Sequence, residues 1–229
     1  MLKETYTYTP LSRVNVDGSR HYQTPGGKPL PSVTTVLSAL ADKTAIHEWR
    51  KRVGNEEANR IMILATGIGT QVHLHLEKFI LEEDRPAGSN LIHQMAQQLS
   101  DIVIDKGLSN LNECWGTEVP LYYPGLYAGT ADCIGVWNGK PAMVDFKTTR
   151  KPKKREWIDD YFLQGAAYAS AHNELYGTNI RTIVIMMIGW DAEADNLGNY
   201  QEFVVEGEEF DQYAMKWALK VQEYFDKYM

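Results

Sequence analysis

The stretch that decides the fold is YAGTADCIGVWNGKPAMVDFKTT, residues 127–149. Asn138-Gly139 at its centre is a strong signal for a two-residue hairpin turn, and strand-forming apolar residues flank it on both sides. Asp132 and Asp145 each lie six residues from this turn. The hairpin therefore predicts that they are cross-strand neighbours about 5 Å apart. Asp145 and Lys147 are separated by one residue, so they share a face of the second strand.

These three side chains predict a hydrolytic site for a phosphodiester. Two close carboxylates repel each other, and a divalent cation keeps both ionised. Oxygen ligands favour Mg²⁺ or Mn²⁺ over softer metals, and such an ion can polarise a phosphate oxygen and activate a bound water. Lys147 can orient or deprotonate that water, or stabilise negative charge on the phosphate. The alternative is an ordinary salt-bridging strand face, because D-x-K is common on half-exposed strands.

The segments around this hairpin predict a mixed α/β protein with an N-terminal helical layer. Before it, we expect a hairpin around Asp17-Gly18, a helix capped by Ser32, and helices over 44–53, 56–65, 70–83 and 91–107. Residues 117–123 have the pattern of an extended strand. After the hairpin we expect a helix over 158–176, a buried strand over 181–190, its neighbour over 199–206 and a final amphipathic helix over 208–228.

Composition limits the classes of protein. The chain is 44% hydrophobic and 23% charged, which is ordinary for a globular protein. A net charge of −7 argues against nonspecific coating of nucleic acid but allows a local basic groove. Cys114 and Cys133 are too few for a four-thiolate zinc or iron–sulfur site. The polar N-terminus lacks a signal-peptide core and no apolar run approaches 18 residues, so we expect a cytoplasmic protein without a membrane span.

Five motifs in order resemble the PD-(D/E)XK nuclease superfamily, in particular its RecB-type exonuclease branch with mitochondrial and phage-encoded members. The segment 69–73 resembles the G-x-x-x-H motif, and Glu118 resembles the acidic position on the strand before the hairpin. Asp132 and the segment 145–147 resemble the metal-binding and D-x-K motifs, and 164–168 resembles Q-x-x-x-Y. The likeness covers roughly residues 30–170.

The resemblance implies a restriction-endonuclease-like mixed sheet flanked by helices, in a single domain over 1–229. Residues 1–110 would form the hairpin and helical layer, and 111–229 the nuclease core. It implies catalytic roles for Asp132, Asp145, Lys147, Glu118 and Gln164. It also implies metal ligands at His73, Asp132, Asp145 and the backbone carbonyl of Phe146. Iron–sulfur members of the branch carry four cysteines, so the cluster-bearing subtype is excluded here.

Substrate contacts are expected from two further groups of residues. Gln164 and Tyr168 share a helical face, which is either a half-buried contact or, as the resemblance implies, part of the site. The segment 147–155 holds six cations and no acid. Such a run is usually a solvated loop, but beside a nuclease site it would contact phosphates. The expected substrate contacts are Tyr168, Thr148, Arg150, Lys151, Lys153, Lys154 and Arg155.

Together these features predict a Mg²⁺- or Mn²⁺-dependent exonuclease acting on DNA ends, with a preference for single strands, in replication, recombination or repair of phage type. Two alternatives stay open: a structure-specific endonuclease with the same core, and a non-catalytic DNA-binding accessory protein of recombination. The resemblance to phage recombination systems implies a single-strand-binding or annealing protein as a partner. Polarity, processivity, DNA versus RNA preference and oligomeric state do not follow from the sequence.

Overall fold

A computed structural model describes residues 2–228 and begins with a small sheet followed by four helices. The three antiparallel strands are β1 (Ser12–Val16), β2 (Ser19–Gln23) and β3 (Leu30–Pro31). The helices are α1 (Val33–Leu40), α2 (Thr44–Val53), α3 (Asn55–Ile80) and α4 (Leu91–Lys106). Ser32 caps α1 as predicted, because its hydroxyl accepts the N–H of Thr35 at 3.0 Å.

The second half of the chain forms a five-stranded sheet with two more helices. Its strands are β4 (Leu111–Tyr123), β5 (Tyr127–Trp137), β6 (Lys140–Thr149), β7 (Thr182–Gly189) and β8 (Tyr200–Glu206). They lie in this order, and only β6 and β7 run parallel. Helices α5 (Asp159–Tyr176) and α6 (Glu208–Tyr228) flank the sheet. The predicted mixed sheet flanked by helices is thus confirmed.

Helices cover both faces of this sheet, so β7 is buried on both sides. Ile183, Ile185 and Met187 pack into the core shared with α1, α5 and α6. The alternate residues Val184, Met186 and Ile188 pack into the core shared with α3 and α4. This alternation explains why the sequence of β7 is a continuous apolar run.

The prediction of separate helices over 56–65 and 70–83 is wrong, because α3 is continuous through both segments. Gly69 permits close packing there instead of ending a helix. A Cβ at Gly67 would lie 3.6 Å from Ile92 Cδ1 of α4, which is an ordinary contact. A Cβ at Gly69 would lie only 3.2 Å from Thr148 Oγ1 of β6, so α3 approaches the sheet closely at this point.

The β5–β6 hairpin has the register that its turn predicts. Trp137 pairs with Lys140 across Asn138 and Gly139, whose φ angles of 46° and 75° are those of a type I′ turn. The paired residues end at Cys133 and Val144. Asp132 and Asp145 therefore follow directly beyond the last pair, where the two strands stop forming a regular ladder.

We predict that Gly135→Ala destabilises the protein by about 3 kcal/mol or more, at the upper end of overpacking effects. A Cβ at this position of β5 would lie 2.0 Å from the backbone oxygen of Glu113 on β4, and backbone cannot move aside as a side chain can. The free energy of unfolding in urea measures the effect. Gly26→Ala is the control, because its nearest contact would be 3.9 Å away. Equal stability of both variants would contradict the close packing of β4 on β5.

Candidate active site

A cavity of ≈ 550 Å³ lies between the sheet, α3, α5 and the N-terminal hairpin. Six of the residues singled out in the sequence line it: His73, Glu118, Asp132, Lys147, Gln164 and Tyr168. The other lining residues are Leu11, Arg13, Arg20, Tyr22, Ser32, Thr34, Gly129 and Thr130. The cavity continues on one side into a recess that shares His73 and Glu118, and on the other into one that shares Thr34 and Gln164. Together they form a groove across the edge of the sheet.

Glu118 and Asp132 lie where β4 and β5 lose their regular alternation. Thr117 pairs with Cys133 and Val119 with Ala131, so Glu118 stands opposite Asp132. Cys133 packs into the core on the α3 side, whereas Ala131, two residues away, packs into the opposite core. Glu118 has a φ of 47°, which is uncommon for a residue with a side chain. This irregularity turns both carboxylates towards the cavity.

His73 of α3 joins these two carboxylates. Ligand atoms of His73, Glu118 and Asp132 all lie within 4.8 Å of one another. His73 Nδ1 is 3.6 Å from Asp132 Oδ2, which also accepts the backbone N–H of Phe146 at 2.9 Å. One imidazole and two carboxylates are a donor set that fits a divalent cation. The cluster therefore differs from the predicted set, because Glu118 is in it and Asp145 is not.

The close carboxylates affect the acidity of Glu118. Desolvation in the cavity, and then the negative charge of Asp132, raise the pKa of Glu118 to about 7. More than a third of Glu118 still reaches solvent, so the negative charge of Asp132 contributes to this shift alongside burial. A cation at this position would favour the ionised form.

Asp145 is almost fully buried and pairs with Lys147. Its side chain is 1% exposed, and Oδ2 lies 2.5 Å from Lys147 Nζ. Among the described residues, no hydrogen-bond donor reaches Oδ1. Burial raises the pKa of Asp145 to about 6, although Lys147 opposes this shift. Burial disfavours the charged amine of Lys147, but Asp145 and Asp132 more than offset it, and the net result is a raised pKa.

Helix α5 places Gln164 and Tyr168 on the cavity. Tyr168 is 4% exposed, and burial raises the pKa of its hydroxyl. Its ring packs against Gly129 of β5, where a Cβ would lie 2.7 Å from the ring carbon Cε1. Tyr161, one turn before Gln164, has its ring centroid 5.1 Å from Lys147 Nζ. The face of α5 that carries the Q-x-x-x-Y motif therefore borders the lysine of the site.

Of the basic run, the cavity includes only Lys147. Arg150 is ion-paired with Asp191, and Arg155 donates to Glu209 Oε1 at 2.7 Å. Lys154 lies over the exposed Trp157 ring, with Nζ 5.3 Å from its centroid, and the backbone N–H of Lys153 is bound by Gln201. Lys151 is exposed, and Thr148 faces Gly69. The structure thus does not bring these predicted substrate contacts together at the site.

Sequence reasoning missed the hairpin residues Arg13, Arg20 and Tyr22 at the cavity. The sequence predicted the hairpin but not the part of the protein on which the hairpin packs. The spacing of the three residues around Asp17-Gly18 was a signal that they share a face. Arg13 pairs with Tyr22, and Arg20 lies two residues before Tyr22, so all three occupy one face of the ribbon.

A further groove lies on the surface outside the candidate site. An apolar groove of ≈ 330 Å³ between α5, α6 and the β4–β5 turn is lined by residues such as Tyr123 and Trp217, without a charged side chain among them.

Within residues 2–228, none of the helices is long and apolar enough to cross a membrane.

Comparison with known proteins identifies sequence relatives. No family model matches the chain. It is 32% identical over 217 residues to human mitochondrial genome maintenance exonuclease 1, covering 86% of this chain and 59% of that protein. The same protein of Xenopus tropicalis is 26% identical over 217 residues, covering 86% and 58%. The chain thus spans about three fifths of the length of the curated relatives it matches.

Solved structures give a partial overlap. A candidate exonuclease from Eubacterium rectale superposes with a TM-score of 0.47 at 10% identity, covering 70% of this chain and 65% of that one. A phage-related exonuclease from Haemophilus somnus gives 0.36 at 11% identity, covering 68% and 79%. Over 86% of its length the chain is thus similar in sequence to mitochondrial genome maintenance exonucleases, and this similarity agrees with the exonuclease resemblance of its motifs.

Proposed function

We propose that this protein is a divalent-metal-dependent nuclease that hydrolyses phosphodiester bonds of DNA from an end. The observation that carries the proposal is the cavity in which His73, Glu118 and Asp132 converge beside the Lys147–Asp145 pair. The exonuclease names of the sequence relatives support a nuclease. A groove in place of a closed pocket suits a polymeric substrate.

His73, Glu118 and Asp132 would hold Mg²⁺ or Mn²⁺, and Asp145 and the carbonyl of Phe146 are proposed as further ligands. The backbone N–H of Phe146 donates to Asp132, so this residue lies next to the cluster. When bound, the cation would polarise a phosphate oxygen and lower the pKa of a bound water. The chain supplies the position of the phosphate and the charges around it.

Lys147 acts in this proposal as a cation and not as a general base. Its ion pair with Asp145 and its position over the Tyr161 ring both require the protonated amine. Only 19% of its side chain is exposed, so its charge is weakly screened at the cavity wall. It would orient the attacking water and stabilise negative charge that develops on the phosphate.

The preference for single strands rests on the recess beyond Gln164. Leu37, Ile46 and Tyr161 line it with apolar and aromatic surface. Unstacked bases of a single strand can pack on such surface, whereas the bases of a duplex are paired and stacked. A strand with its phosphate at the metal cluster would place a neighbouring base here.

Lys147→Ala should lower the rate of cleavage by about 10²–10³-fold, because it removes a positioned charge that stabilises the transition state. The measurement is the release of nucleotides from a labelled linear single strand with Mg²⁺ or Mn²⁺. Lys220→Ala on α6 is the matched control and should retain the rate of the unmodified protein. A rate for Lys147→Ala within a factor of two of that control would exclude Lys147 from the chemistry.

Metal binding should depend on Glu118 as well as Asp132. We expect Glu118→Gln to weaken Mn²⁺ binding by about 10–100-fold, the range found when groups around a bound metal are removed. Titration calorimetry measures the affinity, and EDTA should abolish cleavage until Mg²⁺ or Mn²⁺ is restored. Glu206→Gln is the control, because that carboxylate pairs with Lys140 away from the cavity. Unchanged Mn²⁺ affinity in Glu118→Gln would refute the ligand role.

Dependence on an end separates the exonuclease from the endonuclease alternative. A circular single strand should stay intact under conditions that degrade the same molecule after linearisation. Gel electrophoresis of both forms over time gives the answer. Linear products from the circle would favour an endonuclease. DNA binding without any cleavage, and without metal binding, would favour the non-catalytic accessory protein.

A further inference from the structure

The N-terminal hairpin contributes part of the lining of the cavity. Arg13, Arg20 and Tyr22 lie on the same face of the β1–β2 ribbon, and all three line the cavity. Glu118 and Asp132 line it as well. One cavity therefore has two arginines from the hairpin and two carboxylates from the sheet.

The hairpin is firmly attached, so its arginines are presented from a fixed backbone. The Tyr22 hydroxyl lies 3.3 Å from Thr130 Oγ1 of β5, and Tyr22 packs with Leu30 and Ala128 in a small core. The carbonyl of Arg20 accepts the N–H of Ser32 at 2.9 Å and the hydroxyl of Thr35 at 2.8 Å. These contacts join the ribbon to both β5 and the start of α1.

The charges of these two arginines are not neutralised within the described part of the chain. Neither guanidinium lies within ion-pair distance of a carboxylate between residues 2 and 228, although Glu118 and Asp132 border the same cavity. Arg150 and Arg155 of the basic loop, in contrast, are paired with Asp191 and Glu209. Among the described cationic groups that line the cavity, Arg13 and Arg20 are therefore the two without a carboxylate partner, because Lys147 is paired with Asp145.

Arginine recognises phosphate oxygens through its planar fork of donors, often with two parallel hydrogen bonds. The first turn of α1 adds to the attraction, because Thr34 lines the same cavity and the N-terminus of a helix favours negative charge. A phosphate held by the arginines would lie across the cavity from the metal cluster. A strand that binds both walls must present two phosphates.

We propose that Arg13 and Arg20 bind a backbone phosphate of the DNA strand adjacent to the phosphate that is cleaved. This inference rests on the proposed nuclease function and adds a second anion site to it. The hairpin holds the strand so that the scissile phosphate is placed between His73, Glu118 and Asp132 on one side and Lys147 on the other. Arg13 and Arg20 are thus substrate-binding residues that do not touch the reacting atoms.

The test is the salt dependence of single-strand binding in EDTA, measured by fluorescence anisotropy with a labelled oligonucleotide. For a single strand, each phosphate contact contributes about 0.7 to the slope of log affinity against log salt concentration. The double variant Arg13→Gln/Arg20→Gln should have a slope smaller by about 0.7, because the arginines share one phosphate. Gln keeps part of the side-chain length at these two exposed positions, and thermal melting checks that the variant stays folded.

A charge-preserving variant and a control define the outcome. Arg13→Lys/Arg20→Lys should restore a slope close to that of the unmodified protein, because the lysines still neutralise the phosphate. Lys28→Ala, in the loop between β2 and β3, should not change the slope. In the cleavage assay with metal, the Gln variant should raise KM at least about tenfold and change kcat by less than a factor of three.

An unchanged slope and KM in the Gln variant, while the unmodified protein cleaves DNA, would overturn this inference and leave the nuclease proposal standing. Loss of slope that the Lys variant does not restore would also overturn it, because a structural effect does not depend on charge. Failure of the unmodified protein to cleave any DNA would instead refute the proposed function. Binding slopes that still differ by about 0.7 would then show that the arginine site exists without catalysis.

Discussion

The end of the β5–β6 ladder at Cys133 and Val144 is the constraint on which the site depends. Beyond this pair the two strands no longer form a regular ladder with each other. The backbone N–H of Phe146 donates instead to the side chain of Asp132. On the other edge of β5, Glu118 adopts a positive φ opposite the same aspartate. Strained or irregular backbone is costly and persists where the surrounding structure enforces it. Here the two helix-covered faces of the sheet provide that enforcement.

Charge within this small volume is balanced over short distances. Asp145 lies in the sheet with one oxygen against Lys147, and an isolated buried carboxylate would be costly. Glu118 and Asp132 lie near His73 and line the same cavity as Arg13 and Arg20. The acidic total of the chain is therefore compatible with a local site for an anionic polymer, because attraction depends on where the cations lie. Arg150 and Arg155 are paired with acidic residues that are distant in sequence. A basic stretch of sequence therefore does not always form a basic surface.

The sequence was sufficient for the features that depend on local pattern. The Asn138-Gly139 turn predicted the register that pairs Cys133 with Val144, and the two-residue spacing of Asp145 and Lys147 predicted that these side chains are close enough to pair. The sequence was insufficient for the features that depend on tertiary contacts. Separate helices were predicted over 56–65 and 70–83, yet α3 continues through both, and Gly69 between them packs closely on Thr148. The positive φ of Glu118 and the docking of the Arg13 face arise from contacts between distant segments, for which a single sequence carries no periodic signal.

The lack of a side chain at Gly69 has a consequence for the kind of cation that the protein could accept. Gly69 lies one helical turn before His73, and a Cβ added to it would lie 3.2 Å from Thr148 Oγ1. His73 is carried by the helix, whereas Asp132 and Glu118 are carried by strands. The spacing between helix and sheet at Gly69 therefore sets the gap between nitrogen and oxygen donors. Under the proposed metal binding, a larger residue there would widen this gap and favour ions of greater radius.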